Sequence, residues 1–386
     1  MTRYAYYPGC SASATGISFT LSADYVGKRI GMELAEIPDW CCCGTSAANV
    51  TDGDLAVALP ARSLALAEQM DPTLTVATPC AGCYSSLKAA VHYARQSEAN
   101  RLHLEELIEM PYAATSDVIS FLEAMSQPAS REAIAVALTS SLHGLKVASY
   151  YGCALVRPAE VCGFDDVENP QSMDGLMALA GAEPVDWSFK TECCGASHQI
   201  STPKGARRLV ERIFEDAAAN GAEAIVCACP LCMLNLDMRQ KEINTKREAK
   251  GIASFNIPVY YFTELLGVAM GGSMKQLGID RHFWPAEDTA RRAGRGENAQ
   301  GDAPQAGRVQ GDKPPSPVPS PPAVHRPLAT SSPPGGQQVC QEIRPHDTRV
   351  RPGASEVCHG DVSPDTRRFG VRPGVRFGAS GEVVAP

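Results

Sequence analysis

The sequence has no apolar run of the roughly 18 residues that a transmembrane helix requires, and its first residues, MTRYAYYPGC, lack the apolar segment of a secretory signal. It has no excess of basic residues either: the net charge is −8, whereas proteins that bind nucleic-acid phosphates normally present a basic surface. The chain contains no GxGxxG dinucleotide fingerprint and no C-x2-C-x2-C-x3-C cubane-cluster run. These absences predict a soluble, cytoplasmic protein without nucleic-acid binding, a membrane span, a flavin site or a cubane cluster.

Cysteine, by contrast, is abundant, with fifteen residues in a chain of 386. Because no export signal is recognised and the chain is long, we do not expect a small secreted domain stapled by disulfides. In a reducing compartment, clustered thiols are more often metal ligands or redox groups. The composition therefore favours a protein that binds metal.

The chain changes character near residue 285. Sixteen of the 29 prolines lie in residues 285–386, where the basic residues are twelve arginines and one lysine. The apolar residues there follow neither the strand nor the helix period, so we expect a disordered Pro/Arg-rich tail. A spurious extension from GC-rich coding DNA and a partner-binding segment are both open interpretations of it.

Residues 1–284 contain an internal duplication. YAYYPGC (4–10) recurs as ASYYGC (148–153), and LTVATPCAGC (74–83) recurs as AIVCACPLC (224–232). Between these segments each copy carries a Cys-Cys-Gly triplet, and the offset between the copies is about 150 residues throughout. The repeat predicts two similar domains, at residues 1–140 and 141–284.

Each copy alternates short β-rich runs with helical patterns in the order β-α-β-α-β-α. This alternation predicts an α/β fold, with a small, mainly parallel sheet flanked by helices in each domain. The predicted strands are residues 3–8, 33–37, 74–78, 146–151, 183–187 and 223–227. In parallel sheets, ligands bind at the carboxyl ends of the strands, which is where the repeated cysteines fall.

Five cysteines in each copy follow its three predicted strands. The first set is Cys10, Cys42, Cys43, Cys80 and Cys83, and the second set is Cys153, Cys193, Cys194, Cys229 and Cys232. Five thiols exceed the four ligands of a structural zinc ion, and each copy has a single C-x-x-C hook. Thiolates are also the ligands of iron–sulfur clusters. Iron–sulfur binding is the favoured interpretation, with zinc and disulfides as the alternatives.

The doubled pattern resembles the two CCG motifs of the heterodisulfide reductase B-subunit family over residues 1–284. The resemblance rests on YYPGCS, the two CCG triplets, YYGC and IPVYYFTELLGVAMG (257–271). It implies two non-cubane [4Fe–4S] clusters, each bound by one of the five-cysteine sets. It also implies two partners from heterodisulfide reductase, an A-subunit-like flavoprotein and a C-subunit-like ferredoxin protein.

Reducing a disulfide takes two electrons, whereas a cluster commonly passes one at a time, so two intact motifs favour bond chemistry. We therefore expect reduction or formation of a disulfide or related sulfur–sulfur bond in a small sulfur-containing substrate, within a cavity shared by the two halves. One alternative is an electron-relay subunit that passes electrons between a partner flavin or cubane-cluster protein and an acceptor. A zinc-stapled structural subunit is the other.

The remaining cysteines have weaker claims to a function. Cys41 extends the first pair to three, but alignment of the Cys-Cys-Gly triplets assigns the ligands to Cys42 and Cys43. Cys162 and Cys227 are expected to be structural. Two further cysteines lie in the predicted tail and are expected to be incidental; they are Cys340 and Cys358.

Five other residues lie near the motifs. We expect Gly44 and Gly195 to remove a Cβ where the backbone passes a bulky inorganic centre. His198 could protonate a leaving thiolate, since histidine titrates near neutral pH, or it could bond a sulfur or simply pack. Lys190 and Arg157 could bind an anionic substrate or be ordinary solvated charges.

Overall fold

The computed structural model of the protein describes residues 2–296. Its strands form two four-stranded sheets, and every pairing within them is parallel. The strands are β1 Thr2–Tyr6, β2 Met32–Glu36, β3 Val76–Thr78, β4 Val118–Ser120, β5 Lys146–Tyr150, β6 Glu183–Pro184, β7 Ala224–Cys227 and β8 Val259–Tyr261. The strand orders, β2-β1-β3-β4 and β6-β5-β7-β8, are the same in both copies. The predicted duplicated α/β fold is thus confirmed.

Helices cover both sheets. In the first half they are α1 Ile17–Arg29, α2 Thr45–Thr51, α3 Gly53–Met70, α4 Ala81–Gln96, α5 Glu98–Ile108, α6 Phe121–Ser126 and α7 Pro128–Ala137. In the second half they are α8 Ala159–Cys162, α9 Ser172–Leu179, α10 Pro203–Ala219, α11 Pro230–Glu248, α12 Phe262–Ala269, α13 Met274–Leu277 and α14 Glu287–Arg295. Every residue of the central strands β3 and β7 is buried, as expected for strands covered on both faces. No helix within residues 2–296 has the length and apolar character needed to cross a bilayer.

The fourth strand of each sheet was missing from the sequence prediction. Strands β4 and β8 have three residues each, and each runs directly into a helix, α6 or α12. The helix N-caps are the last strand residues, Ser120 and Tyr261. A strand this short has no measurable period of its own, so the helical pattern that follows it dominates the segment.

The predicted boundary at residue 284 also differs from the structure. Helix α14 follows it and buries Ala290 and Ala293, and the Tyr260 hydroxyl donates to the carbonyl of Ala286 just before that helix. The buried residues of α14 are two small alanines among charged residues, so the segment offers no large apolar side chains that would mark a core-packed helix in the sequence. The rest of the predicted disordered tail lies outside the described residues.

The two halves pack together through equivalent helices. Helix α1 of the first half packs against α12, and α6 packs against α9. At the first of these contacts, the rings of Phe19 and Tyr261 stack with centroids 4.4 Å apart, and the hydroxyls of Ser22 and Thr263 lie 2.6 Å apart in a buried hydrogen bond. Buried residues of both halves form one continuous hydrophobic core. The carboxyl ends of the two sheets are therefore held in a fixed relation.

Candidate functional site

The cysteines of the first set lie in three segments that follow three parallel strands. Cys10 follows β1, Cys42 and Cys43 follow β2, and Cys80 and Cys83 lie at the start of α4, after β3. Strand order β2-β1-β3 brings these three turns side by side at one edge of the sheet. The second set occupies the equivalent positions after β5, β6 and β7.

Each set contains one buried pair of sulfurs in close contact. The Sγ atoms of Cys43 and Cys83 lie 3.4 Å apart, and those of Cys194 and Cys232 lie 3.7 Å apart. Two thiolates bound at about 2.3 Å to one tetrahedral ion would lie roughly 3.8 Å apart. These pairs are therefore spaced as ligands of a common metal atom.

A second, more open pair lies in each set. Burial and the neighbouring Cys42 raise the pKa of Cys10, and the neighbouring Cys193 together with burial raises the pKa of Cys153. Cys10, Cys42 and Cys193 are exposed, and Cys153 is half-buried. One side of each site is thus open to a substrate or a partner.

The two sets meet at the fifth cysteine of each. Cys80 and Cys229 are the N-cap residues of α4 and α11, and both are buried. Their thiols interact, which raises the pKa of Cys80 and lowers that of Cys229. A Cβ placed on Gly82 would lie 3.5 Å from a methyl group of Leu231, so the first turns of the two helices are in contact. The ten cysteines therefore form one continuous region across both halves.

In each set, interaction between two neighbouring thiols lowers the pKa of one of them and so favours its thiolate form. The bond with Cys83 lowers the pKa of Cys43 to about 6, against an opposing effect of burial. The interaction with Cys153 lowers the pKa of Cys193 to about 6, helped by the backbone N–H of Gly195 and the charge of His198. The thiolate is the form of cysteine that binds metal.

The glycines that precede Cys10 and Cys153 provide space for these sulfurs. Gly9 and Gly152 have φ of 76° and 69°, and a Cβ on either would approach the Sγ of Cys83 at 3.0 Å or of Cys232 at 3.2 Å. These glycines were missed in the sequence, although the shared Gly-Cys pair of YYPGC and YYGC was the signal for them.

The expected role of the Cys-Cys-Gly glycines is different in the structure. A Cβ on Gly44 would meet Ala48 at 2.6 Å, and one on Gly195 would meet the Cα of Ala206 at 3.0 Å. Both glycines also have positive φ, 72° and 74°. They are therefore required by the tight turn and by helix packing rather than by an inorganic centre.

Two equivalent tyrosine hydrogen bonds show which residues correspond in the two Cys-Cys-Gly segments. The hydroxyl of Tyr7 donates to the carbonyl of Cys41, and the hydroxyl of Tyr150 donates to that of Glu192, both at 2.6 Å. Cys41 is thus equivalent to Glu192, and its Sγ contacts the carbonyl of Leu59 at 3.3 Å. This geometry supports the assignment of the next two cysteines, rather than Cys41, as ligands.

The other cysteines within the described residues are packed in apolar surroundings. Cys162 is buried, with its Sγ 3.9 Å from the carbonyl of Ala154. Cys227 ends β7, and its Sγ lies 4.0 Å from the Sδ of Met233. Both positions suit a structural role. Cys340 and Cys358 lie outside the described residues.

The charged residues noted in the sequence have separate environments. Lys190 is buried, and its Nζ bonds the carboxylate of Asp174 at 3.1 Å and the carbonyl of Pro170 at 3.2 Å. A lysine held in this way supports a loop, which does not fit the suggested role in binding substrate. His198 is exposed and follows Gly195 in a short 3-10 turn.

A cavity of about 580 Å³ opens beside the second set. Its lining includes Cys153 and Arg157 of the second half and Ser85 of α4 in the first half. The Arg157 guanidinium bonds Glu168 at 3.0 Å and Thr191 at 3.1 Å. The cavity therefore touches both halves and includes one cysteine of the open pair.

Known proteins share this doubled arrangement. Residues 4–88 and 147–237 each match the CCG cysteine-rich domain. Over 288 residues the chain is 30% identical to the B-subunit of ferredoxin:CoB–CoM heterodisulfide reductase from Methanosarcina mazei, covering 73% of this chain and 94% of that protein. The chain belongs to the heterodisulfide reductase B-subunit family. The two halves are accordingly the CCG domains of this family.

Other relatives of this CCG protein differ in their described roles. It is 31% identical over 281 residues to the 8-methylmenaquinol:fumarate reductase membrane anchor subunit of Wolinella succinogenes, covering 72% of this chain and 96% of that protein. A crystal structure of a hypothetical protein from Helicobacter pylori superposes with a TM-score of 0.56 at 12% identity. That alignment covers 74% of this chain and 52% of the other, and it shows a shared fold only.

Proposed function

We propose that this CCG protein is an iron–sulfur redox subunit that reduces or forms a disulfide or related sulfur–sulfur bond at two non-cubane [4Fe–4S] clusters. Membership of the heterodisulfide reductase B-subunit family supports the iron–sulfur redox role. The observation that carries the bond chemistry is the contact between the first turns of α4 and α11, where a Cβ on Gly82 would lie 3.5 Å from Leu231 and where Cys80 and Cys229 are the N-cap residues of the two helices. A bond-breaking reaction that needs two electrons requires two carriers that reach one substrate, and the contact provides that proximity.

The arrangement of the sulfurs fits a polynuclear centre better than zinc. Within residues 2–296, no three Cys, His, Asp or Glu side chains are arranged to hold a single metal ion. The sulfurs instead include one pair in each set that is spaced for a common metal atom, and the five cysteines of each set are distributed over three turns. Structural zinc takes four ligands around one ion, whereas a cluster distributes its thiolates over several irons.

The proposed ligands are the ten cysteines of the two sets. When bound, the clusters supply electrons one at a time to the sulfur–sulfur bond. The protein contributes a helix N-terminus beside each C-x-x-C pair: the backbone N–H groups of Leu231 and Cys232 face the Cys229 sulfur, and that of Cys83 faces Cys80. Such N–H groups stabilise negative charge on the sulfur.

The substrate would enter through the cavity beside Cys153. Ser85 and Arg157 lie on its walls, so a substrate there contacts both CCG domains. Arg157 places a positive group at the cavity, which suits an anionic sulfur compound. His198 holds a positive charge near Cys193 when it is protonated, and we assign it the role of proton donor to the product thiolate.

Partner proteins must supply or accept the electrons. We propose an A-subunit-like flavoprotein and a C-subunit-like ferredoxin protein, because the Methanosarcina relative is named as part of a heterodisulfide reductase that uses ferredoxin. The exposed thiols of Cys10, Cys42 and Cys193 give such partners access to both sets.

An electron-relay subunit is the second candidate function. It is favoured by the identity to a subunit of a quinol:fumarate reductase, whose name includes no sulfur compound. In a relay subunit, the two clusters would carry electrons to a partner without contacting a substrate.

A spectroscopic titration distinguishes the two functions. Protein purified without oxygen should contain about eight irons per chain, as two four-iron clusters require. Adding a small thiol or disulfide should change the electron paramagnetic resonance signals of both clusters. Stoichiometric zinc without iron would exclude both redox functions, and unchanged signals at saturating thiol and disulfide would favour the relay.

A further inference from the structure

The side chain of Tyr261 lies at the junction of the two cysteine sets. It ends β8 and pairs in register with Cys227 of β7, two residues before Cys229. Its ring stacks on Phe19 of the first half at 4.4 Å, and the residue is fully buried. Tyr261 is therefore in contact with both halves and adjacent to the strand that leads into the second C-x-x-C pair.

The Tyr261 hydroxyl has no hydrogen-bond partner among the described residues. Leaving a buried hydroxyl unpaired costs about 1–3 kcal/mol, and buried polar groups are generally paired. The preceding residue, Tyr260, follows this rule, since its hydroxyl donates to Ala286. The Tyr261 hydroxyl is therefore a buried donor that is available to an acceptor outside the polypeptide.

The surroundings of the hydroxyl identify the chemistry of that acceptor. Burial raises the pKa of Tyr261, and negative charge on Cys227, Glu264, Cys229 and Cys80 raises it further. The sulfurs of Cys229 and Cys80, one from each half, are thus among the groups whose charge acts on this hydroxyl. The start of α1 and the start of α11 also pack closely here, since a Cβ on Gly16, just before α1, would lie 3.1 Å from the Cβ of Pro230 in α11.

We infer that Tyr261 donates its hydroxyl hydrogen bond to a cluster sulfur at the Cys80–Cys229 junction and thereby raises the reduction potential there. The inference rests on the proposed iron–sulfur function. A hydrogen bond to sulfur stabilises the more negative, reduced form of a cluster, so its removal makes reduction harder. Tyr261 is a positioning residue in this role, because it tunes the electron carriers without contacting the substrate.

The substitution Tyr261→Phe tests this inference, because it removes the oxygen and retains the stacked ring. We expect the equilibrium constant for reduction of at least one cluster to fall about tenfold, which is a shift of 59 mV to lower potential for one electron. The measurement is a spectroelectrochemical redox titration of the full chain. Tyr260→Phe is the matched control: it removes a neighbouring buried hydroxyl that already has a partner, and its potentials should equal those of the wild type.

Unchanged potentials in an iron-loaded Tyr261→Phe protein would overturn the inference and leave the proposed function standing. The same shift in Tyr260→Phe would also overturn it, because the effect would then come from general loosening of the fold. Wild-type protein without iron would overturn the proposed function itself. Iron content, measured on every variant, distinguishes these failures.

Discussion

At the scale of single residues, three neighbouring cysteines differ in where their side chains lie. Cys41 contacts Leu59 in helix α3, Cys42 is exposed beside Cys10, and Cys43 is buried against Cys83. Their consecutive positions in the sequence do not by themselves show which of the three side chains is packed on α3, which is exposed and which is buried. The Tyr7 bond to the carbonyl of Cys41 does, because it has a counterpart at Tyr150 in the other half.

The first prediction follows from this division. Cys42→Ser should remove one cluster and about half of the iron, since it takes a ligand from the first set only. Cys193→Ser should do the same for the second set, whereas Cys41→Ser should retain full iron content. Iron analysis with paramagnetic resonance provides the measurement. Loss of iron in Cys41→Ser together with full iron in Cys43→Ser would show that the ligand assignment is shifted by one residue.

A second prediction concerns Gly9. Gly9→Ala places a methyl group 3.0 Å from the Sγ of Cys83 at a positive φ, so we expect loss of the first cluster and about half of the iron. Gly144→Ala is the control, since it has a φ of 75° and no atom within 4 Å of the added Cβ. Both variants carry the backbone cost of about 1–2 kcal/mol. Equal iron contents in the two would contradict a specific role for the space at Gly9.

At the scale of elements, strands that lie between turn residues were predictable, and strands that run directly into a helix were not. Strands β1, β3, β5 and β7 lie within two residues of their predicted bounds, because apolar β-formers between turn residues mark buried strands. Strands β4 and β8 have three residues each and merge with helices. The environment of Lys190 depends on Asp174 in helix α9, which lies sixteen residues away with strand β6 between them, so no local pattern could assign it.

The third prediction tests helix α14. A chain that ends at Gly296 retains the buried Ala290 and Ala293 and the Tyr260–Ala286 hydrogen bond, so its free energy of unfolding should match that of the full chain. A chain that ends at Trp284 loses all three contacts and should be about 2–3 kcal/mol less stable. Denaturant unfolding of the two truncated chains measures the difference. Equal stability would show that α14 adds nothing to the core.

At the scale of the whole molecule, the sequence predicts two sites that share a cavity, but not which of their residues meet. The repeat and the strand ends predict two equivalent cysteine sets. Their meeting at Cys80 and Cys229 depends on how α1 packs on α12 and α6 on α9. The α1–α12 contact joins residues more than 200 positions apart, such as Ser22 and Thr263, and the α6–α9 contact joins two helices on opposite sides of the boundary between the halves. Pairings of that kind are tertiary and leave no periodic signal in either segment.

The fourth prediction concerns cooperation between the halves. If one substrate must reach both clusters, Cys42→Ser and Cys193→Ser should each abolish turnover of a disulfide with the electron-donating partner. The unaltered set should keep its own cluster signal in each variant. Turnover assays run alongside paramagnetic resonance test this. Near wild-type turnover in Cys42→Ser protein that has lost one cluster would contradict the two-cluster mechanism.

The contact between Cys80 and Cys229 joins the same position of two copies. A contact of a position with its own equivalent arises where a two-fold axis passes between identical subunits. The α1–α12 and α6–α9 packings exchange under the same rotation. The chain therefore has the geometry of a homodimer interface, with both sides of the site on a single polypeptide. Because each side has its own sequence, the two can carry different side chains at equivalent positions, as His198 after one triplet and Ala47 after the other illustrate.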